Sequence, residues 1–206
     1  MGTYYQNVDQ FINQIDPGVW IEIGVDRGEG STQFFADLAK THATRFYAVD
    51  YDQDQIDGLR ERFVELPDHV RAVQAKGEDF LDNFRNIEPT AQVSLVYLDN
   101  FDWDYWVNRK AKSFVPAQKE RYLQKMGTEM TNLNSQQAHL KQAIRLMPLM
   151  SDNSIIVCDD TWYEPDEGVF IGKCSAAIPY LLSEGYQLLH NEGHRHNSGA
   201  ILGRSK

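Results

Sequence analysis

The chain has 206 residues, 42% of them apolar, which is enough for one large domain whose buried sheet is covered by helices. Its formal charge of -10 argues against a general nucleic-acid partner, because neutralising phosphates takes a surplus of Lys and Arg. No apolar run reaches the roughly 18 residues of a membrane span, and the opening MGTYYQNVDQ lacks the layout of a secretory signal, so a cytoplasmic protein with no membrane partner is expected.

In chain order, Tyr4–Ile15 reads as a leading helix ended by Pro17 and Gly18. Short β-branched and aromatic runs follow at Val19–Gly24, Arg45–Asp50, His69–Gln74, Val93–Asp99 and Ser154–Asp159. Between and after them lie helix-length stretches at Ser31–Thr41, Gln53–Val64, Glu78–Phe84, Ser135–Met147 and Ile171–Ser183, the last of them interrupted by Pro179. This alternation is the pattern of βαβ units and a parallel sheet. Two closing runs, Tyr186–Asn191 and Ser198–Gly203, flank a turn rich in Gly, His and Asn and predict an antiparallel hairpin at the sheet edge. The expectation is an α/β fold: a doubly wound, seven-stranded, mostly parallel sheet with a C-terminal antiparallel hairpin and helices on both faces.

Residues 1–206 read as a single domain, with no repeat or linker dividing them. One segment is out of proportion, since residues 100–134 occupy a place where a βα loop has about 2–6 residues. It reads as an insertion or lid. Its stretch from Asp104 to Lys125 holds six basic residues (Arg109, Lys110, Lys112, Lys119, Arg121, Lys125) against two acidic ones (Asp104, Glu120), a local excess that fits either a solvated helix face or an anion-facing patch. Cys158 and Cys174, 16 positions apart and in no metal-ligand spacing, are expected as two reduced thiols.

The stretch Val19-Trp-Ile-Glu22-Ile-Gly24-Val-Asp26-Arg-Gly28-Glu-Gly30-Ser31 runs from a strand through a glycine turn into a helix. Gly24 and Gly28 permit a sharp turn and close approach to a ligand, while Gly30 and Ser31 open a helix whose free N–H groups favour a carboxylate or phosphate. Short-chain NAD(P) dehydrogenases share the glycine spacing. They also need a Tyr-x-x-x-Lys pair, and no tyrosine here has lysine four positions later. With Glu22 before the first glycine, the stretch resembles the Glu-x-Gly-x-x-x-Gly motif of class I S-adenosylmethionine-dependent methyltransferases, in particular the catechol- and macrocin-type small-molecule O-methyltransferases. Asp26 stands where the fuller motif has its middle glycine. The resemblance implies a Rossmann-like domain with S-adenosylmethionine held by Glu22, Gly24, Gly28, Gly30, Ser31, Asp50, Glu78 and Asp99. Asp50, closing the second strand, would accept from the ribose hydroxyls, and Glu78 would read the adenine edge or simply favour its helix start.

The fourth run ends at Asp99 and the fifth at Asp159-Asp160, which a parallel sheet brings to one edge. Three converging carboxylates repel one another unless a cation or proton offsets them, and hard divalent ions prefer such ligands. Asp99, Asp159 and Asp160 match the metal site of the resembled family, so Mg²⁺, or Ca²⁺ or Mn²⁺, is an expected cofactor. The family's basic lysine is replaced here by Asp102. Asp99, Asp102 and His139 are therefore the candidates for catalysis, with His194 and His196 further candidates for the base. Trp103, Trp162 and Tyr163 are either acceptor-pocket walls or core aromatics.

The resulting expectation is metal-assisted O-methylation of a small-molecule acceptor, a sugar or phenolic natural product. The alternatives are a metal-independent N- or O-methyltransferase and a cofactor-binding module without chemistry. Homo-oligomerisation stays open.

Overall fold

The computed structural model describes residues 3–26, 28–63, 67–102, 115–194 and 197–204. A seven-stranded sheet runs through its centre in the order β3-β2-β1-β4-β5-β9-β8. The strands are β1 (Val19–Ile23), β2 (Phe46–Asp50), β3 (Val70–Gln74), β4 (Val93–Leu98), β5 (Met150–Asp159), β8 (Gln187–His194) and β9 (Asn197–Arg204). The first five are mutually parallel, while β9 runs antiparallel to both β5 and β8. The expected doubly wound sheet with an antiparallel closing hairpin is what the chain forms. Every residue of β1, β2 and β4 is buried, as strands covered on both faces require.

Alternate side chains of these strands feed two cores. On one face Ile21, Ile23, Val96 and Leu98 meet Phe80 and Phe84 of α3 (Gly77–Ile87), Leu146 of α5 (Asn132–Leu146) and Ile178 of α6 (Ala177–Ser183). On the other, Trp20, Leu95 and Tyr97 meet Phe35 of α1 (Ser31–Thr41), Leu59 of α2 (Gln53–Arg62) and Tyr4 and Val8 of the leading segment. Burying each such side chain contributes roughly 1.5–3 kcal/mol before entropy is charged against it.

Three differences from the sequence expectations have local causes. The leading segment forms two 3₁₀ turns, Tyr4–Gln10 and Ile12–Gln14, in place of one α-helix. There Asn7 donates its side-chain amide to the Tyr4 carbonyl at 3.0 Å, a bond that competes with the helical ladder, and Tyr4 Oη donates to the His190 carbonyl at 2.8 Å. The last helix begins at Ala177, because Val169–Gly172 forms a strand, β7, paired antiparallel with β6 (Thr161–Glu164) in a second small sheet. Pro179 then falls in the first turn of α6, where a missing N–H costs nothing. The long insertion contains α4 (Val115–Met126), and α5 begins within it, at Asn132, with Thr131 accepting from the Asn134 N–H at 3.1 Å as its cap. Among the described residues no helix is long and apolar enough to cross a membrane.

Candidate active site

Strand order reverses between β1 and β4, since β2 and β3 lie to one side of β1 and β4 and β5 to the other. Open α/β sheets bind ligands outside the carboxyl ends of the strands at such a point. Gly24 leaves β1 there with φ +98°, and a Cβ on it would stand 2.5 Å from the Asn100 backbone nitrogen. Only glycine lets the two strand ends approach this closely. Asp26, at the position where the resembled motif has a glycine, also takes a left-handed conformation with φ 43°. The departure in sequence thus keeps the turn, because Asp tolerates that region better than most side chains.

Asp50 points into this loop. Its Oδ2 accepts from the Val25 N–H at 3.0 Å and its Oδ1 from the Asp52 N–H at 2.9 Å. Burial raises its carboxyl to about 6, against the pull of those two backbone donors. Glu22 is fully buried on β1, and neither carboxyl oxygen has a hydrogen-bond partner among the described residues. Desolvation lifts it to about 8, opposed in part by the nearby Ser31 and Thr32 hydroxyls. Gly30 provides no side-chain cap to α1, so the opening N–H groups of that helix are left for another acceptor.

Two adjoining chambers open at this edge and share Gly24, Asp26, Asp99, Asp159 and Asp160 as walls. The smaller, about 110 Å³, is also lined by Tyr5, Glu29 and Ser31. The larger, about 320 Å³, runs from Asp50 and Tyr51 past Phe101 to Asp102, Arg121 and Lys173. Helix α4 forms its outer side. Tyr122 of α4 packs its ring 4.8 Å from that of Phe101 and 5.6 Å from that of Tyr51, and its Oη accepts from the Asp102 N–H at 2.8 Å. Arg121 Nε donates to Asp52 at 2.7 Å. Of the basic residues noted in the insertion, Arg109, Lys110 and Lys112 lie outside the described residues, whereas Arg121 and Lys125 turn inward to carboxylates.

Oxygens of Asp99, Asp159 and Asp160 lie within 4.8 Å of one another, as expected from the strand ends. The sequence reading missed the fourth member of the group. Lys173, buried at 3% exposure, places its ammonium 2.6 Å from Asp99 Oδ1 and 3.1 Å from Asp160 Oδ2. The carboxylates around Lys173 drive its ammonium well above the usual lysine range despite burial. Desolvation and the charges of Asp99 and Asp160 push the Asp159 carboxyl well above the ordinary range. In chemistry the oxygen donors suit a hard divalent cation. In arrangement they do not fit one as they stand, because Lys173 already engages two of the three carboxylates.

Other candidates are dispersed. Asp102 lines the larger chamber and its carboxylate accepts from the Gln118 amide. His139 is fully buried, lines neither chamber, holds the Ser135 carbonyl with Nδ1 at 2.8 Å and is pushed down to about 4 by burial. Glu78 sits in the first turn of α3, 3.4 Å from the Gln142 amide, and also lines neither chamber. Trp162 and Tyr163 lie on β6 away from both, Tyr163 packing on Phe170 at 5.1 Å. Trp103 and His196 fall outside the described residues, and His194 closes β8. Both cysteines are free and buried.

A family model described as a methyltransferase domain matches residues 21–121, from β1 into α4. Residues 21–121 carry a methyltransferase domain. Solved methyltransferase structures share its fold at low identity. A provisionally named rRNA-methylase from Clostridium thermocellum is 12% identical with a TM-score of 0.58, covering 100% of this chain and 97% of its own. CalS11, a TDP-rhamnose 3'-O-methyltransferase of calicheamicin biosynthesis, is 14% identical with a TM-score of 0.52 over 97% of this chain and 75% of its own. A provisionally named caffeoyl-CoA O-methyltransferase from Staphylococcus aureus is 13% identical with a TM-score of 0.54 over 98% of this chain and 80% of its own. Among curated protein sequences none matches the chain. Within the methyltransferase domain the unpartnered Glu22 oxygens, the uncapped start of α1 and the loop-facing Asp50 form a donor and acceptor set that fits S-adenosylmethionine, which carries an ammonium, a carboxylate and a ribose.

Proposed function

We propose that this methyltransferase transfers the methyl group of S-adenosylmethionine to a hydroxyl oxygen of a small acceptor, with sugars and phenolic natural products as the acceptor class. One observation carries the reading: Asp50, at the expected ribose position, and the cluster of Asp99, Asp159, Asp160 and Lys173 line one continuous chamber. The O-methyltransferases among the similar structures support the acceptor class.

When bound, the donor supplies a sulfonium methyl whose carbon–sulfur electron pair leaves with sulfur as the acceptor oxygen bonds the carbon. The chain's tasks are to hold that oxygen in line, accept its proton and balance charge. Carboxylates of Asp99, Asp102, Asp159 and Asp160 face the chamber on the side away from Asp50 and are candidate proton acceptors there. His139 has no such access. Tyr122, Tyr51 and Phe101 pack together and give the chamber an aromatic stretch of wall beside the polar Asp50, Asp102 and Arg121.

A metal-assisted version is the second reading, favoured by the 4.8 Å clustering of three carboxylate oxygens. Mg²⁺ or a similar ion could be held by Asp99, Asp159 and Asp160 only with the Lys173 ammonium displaced from Asp99 and Asp160, and would then supply Lewis-acid chemistry to the acceptor oxygen. Calorimetry with S-adenosylmethionine and S-adenosylhomocysteine tests the proposal at its root, and the absence of binding by both at millimolar concentration removes it. Transfer of labelled methyl to a panel of hydroxylated acceptors tests the rest.

A further inference from the structure

Three carboxylates in one cluster stand only with a cation or a proton among them. The chain brings its own cation. Lys173 follows the last residue of β7, and the hairpin fixes it at the cluster: Gly172 pairs with Thr161, the Lys173 N–H donates to the Asp160 carbonyl at 3.2 Å, and the Cys174 N–H donates to Thr161 Oγ1 at 3.0 Å. A Cβ on Gly172, whose φ is +113°, would stand 1.9 Å from the Asp160 carbonyl oxygen, so the approach of the two turns depends on glycine.

We propose that Lys173 is the resident cation of the acceptor site, standing where a divalent metal would stand. The proposal rests on the methyl-transfer reading for its acceptor and on geometry alone for its charge. An ammonium has three N–H donors. Asp99 and Asp160 take two, and among the described residues the third meets no further acceptor, which leaves it for an oxygen in the chamber that Lys173 helps to line. A hydroxyl oxygen held there receives a fixed positive charge, which steadies it as its proton leaves. No bond to the nitrogen forms or breaks. A metal could enter only by displacing the ammonium, since Mg²⁺ requires its oxygen ligands at about 2.0–2.1 Å in near-octahedral order.

Manganese binding, followed by electron paramagnetic resonance on the full chain, tests this directly. Wild type is expected to bind no Mn²⁺ at the cluster up to millimolar concentration. Lys173→Met keeps the length and removes the charge, and it is expected to gain a site at least about ten-fold tighter, lost again when Asp159→Asn is added. Lys173→Arg retains the charge and should behave as wild type. Tight Mn²⁺ binding by wild type that disappears in Asp159→Asn overturns the proposal, as does a folded Lys173→Met protein that binds no better than wild type. Should Lys173→Met fail to fold, the wild-type and Lys173→Arg titrations decide alone: no binding upholds the proposal and Asp159-dependent binding overturns it. Because these readouts need no turnover, failure to find methyl transfer would remove the acceptor without touching the metal result.

Discussion

Lys125 of α4 and Asp52 at the N-cap of α2 meet at 2.5 Å across 73 residues of sequence. Arg121, one turn earlier on the same helix, bonds the other oxygen of that carboxylate, so a single buried Asp fastens α4 along the chamber. Both cations hold Asp52 below the usual carboxylate range in spite of its burial. Replacing Asp52→Asn keeps the cap and removes the charge. The expected loss is about 1.5 kcal/mol, the low end for a charged hydrogen bond, because Arg121 and Lys125 are about a third exposed and rehydrate. Limited proteolysis should cut the α4 region faster in the variant, and equal rates would count against the latch.

Glu22 makes stability depend on pH. Its carboxyl moves from 4.5 to about 8 on folding, so between those values the folded chain holds a proton that the unfolded chain has released. Its contribution is fully present below 4.5 and is lost as pH rises through about 8, at about 1.4 kcal/mol per pH unit. Denaturant titrations of wild type and Glu22→Gln should diverge over that window, the variant gaining on wild type as pH rises. Parallel curves would show that Glu22 is not protonated in the fold.

Asp50 makes cofactor affinity depend on pH in the opposite sense. Ribose hydroxyls donate to the charged carboxylate, which is fully formed only above about 6. Affinity for S-adenosylhomocysteine should therefore rise with pH up to about 6 and level off beyond it. Asp50→Asn should bind about 10- to 100-fold more weakly, the equivalent of one charged hydrogen bond, and lose the pH step. Wild-type affinity of the Asp50→Asn variant in calorimetry would place the ribose elsewhere.

Gly172→Ala should damage the hairpin that delivers Lys173. Left-handed backbone strain and the clash at the Asp160 carbonyl together cost about 2–4 kcal/mol. Thermal unfolding measures the loss. A variant within about 0.5 kcal/mol of wild type would mean that the turn relaxes freely.

Parallel strands were legible because burial on both faces leaves continuous apolar runs, and β1, β2 and β4 lie where the runs predict them. Strands β6 and β7, four residues each, were not legible, because Ile171 and Gly172 of β7 read as the start of the helix expected from Ile171, whereas the chain turns at 173–176 and the helix begins only at Ala177. The 3₁₀ start of the chain was hidden for a related reason: its shape is set by contacts to β8, more than 180 residues away.

Local chemistry in the sequence determined the glycine turn after β1 and the carboxylates at the ends of β2, β4 and β5, since each depends on backbone geometry and near neighbours. Tertiary structure alone decided what balances those carboxylates. Lys173 lies 74 positions from Asp99, and only the pairing of β6 with β7 and the paths of β4 and β5 bring the two within 2.6 Å. Charge acts through space, and no spacing along the chain records a contact made by a hairpin folding back on a distant strand end.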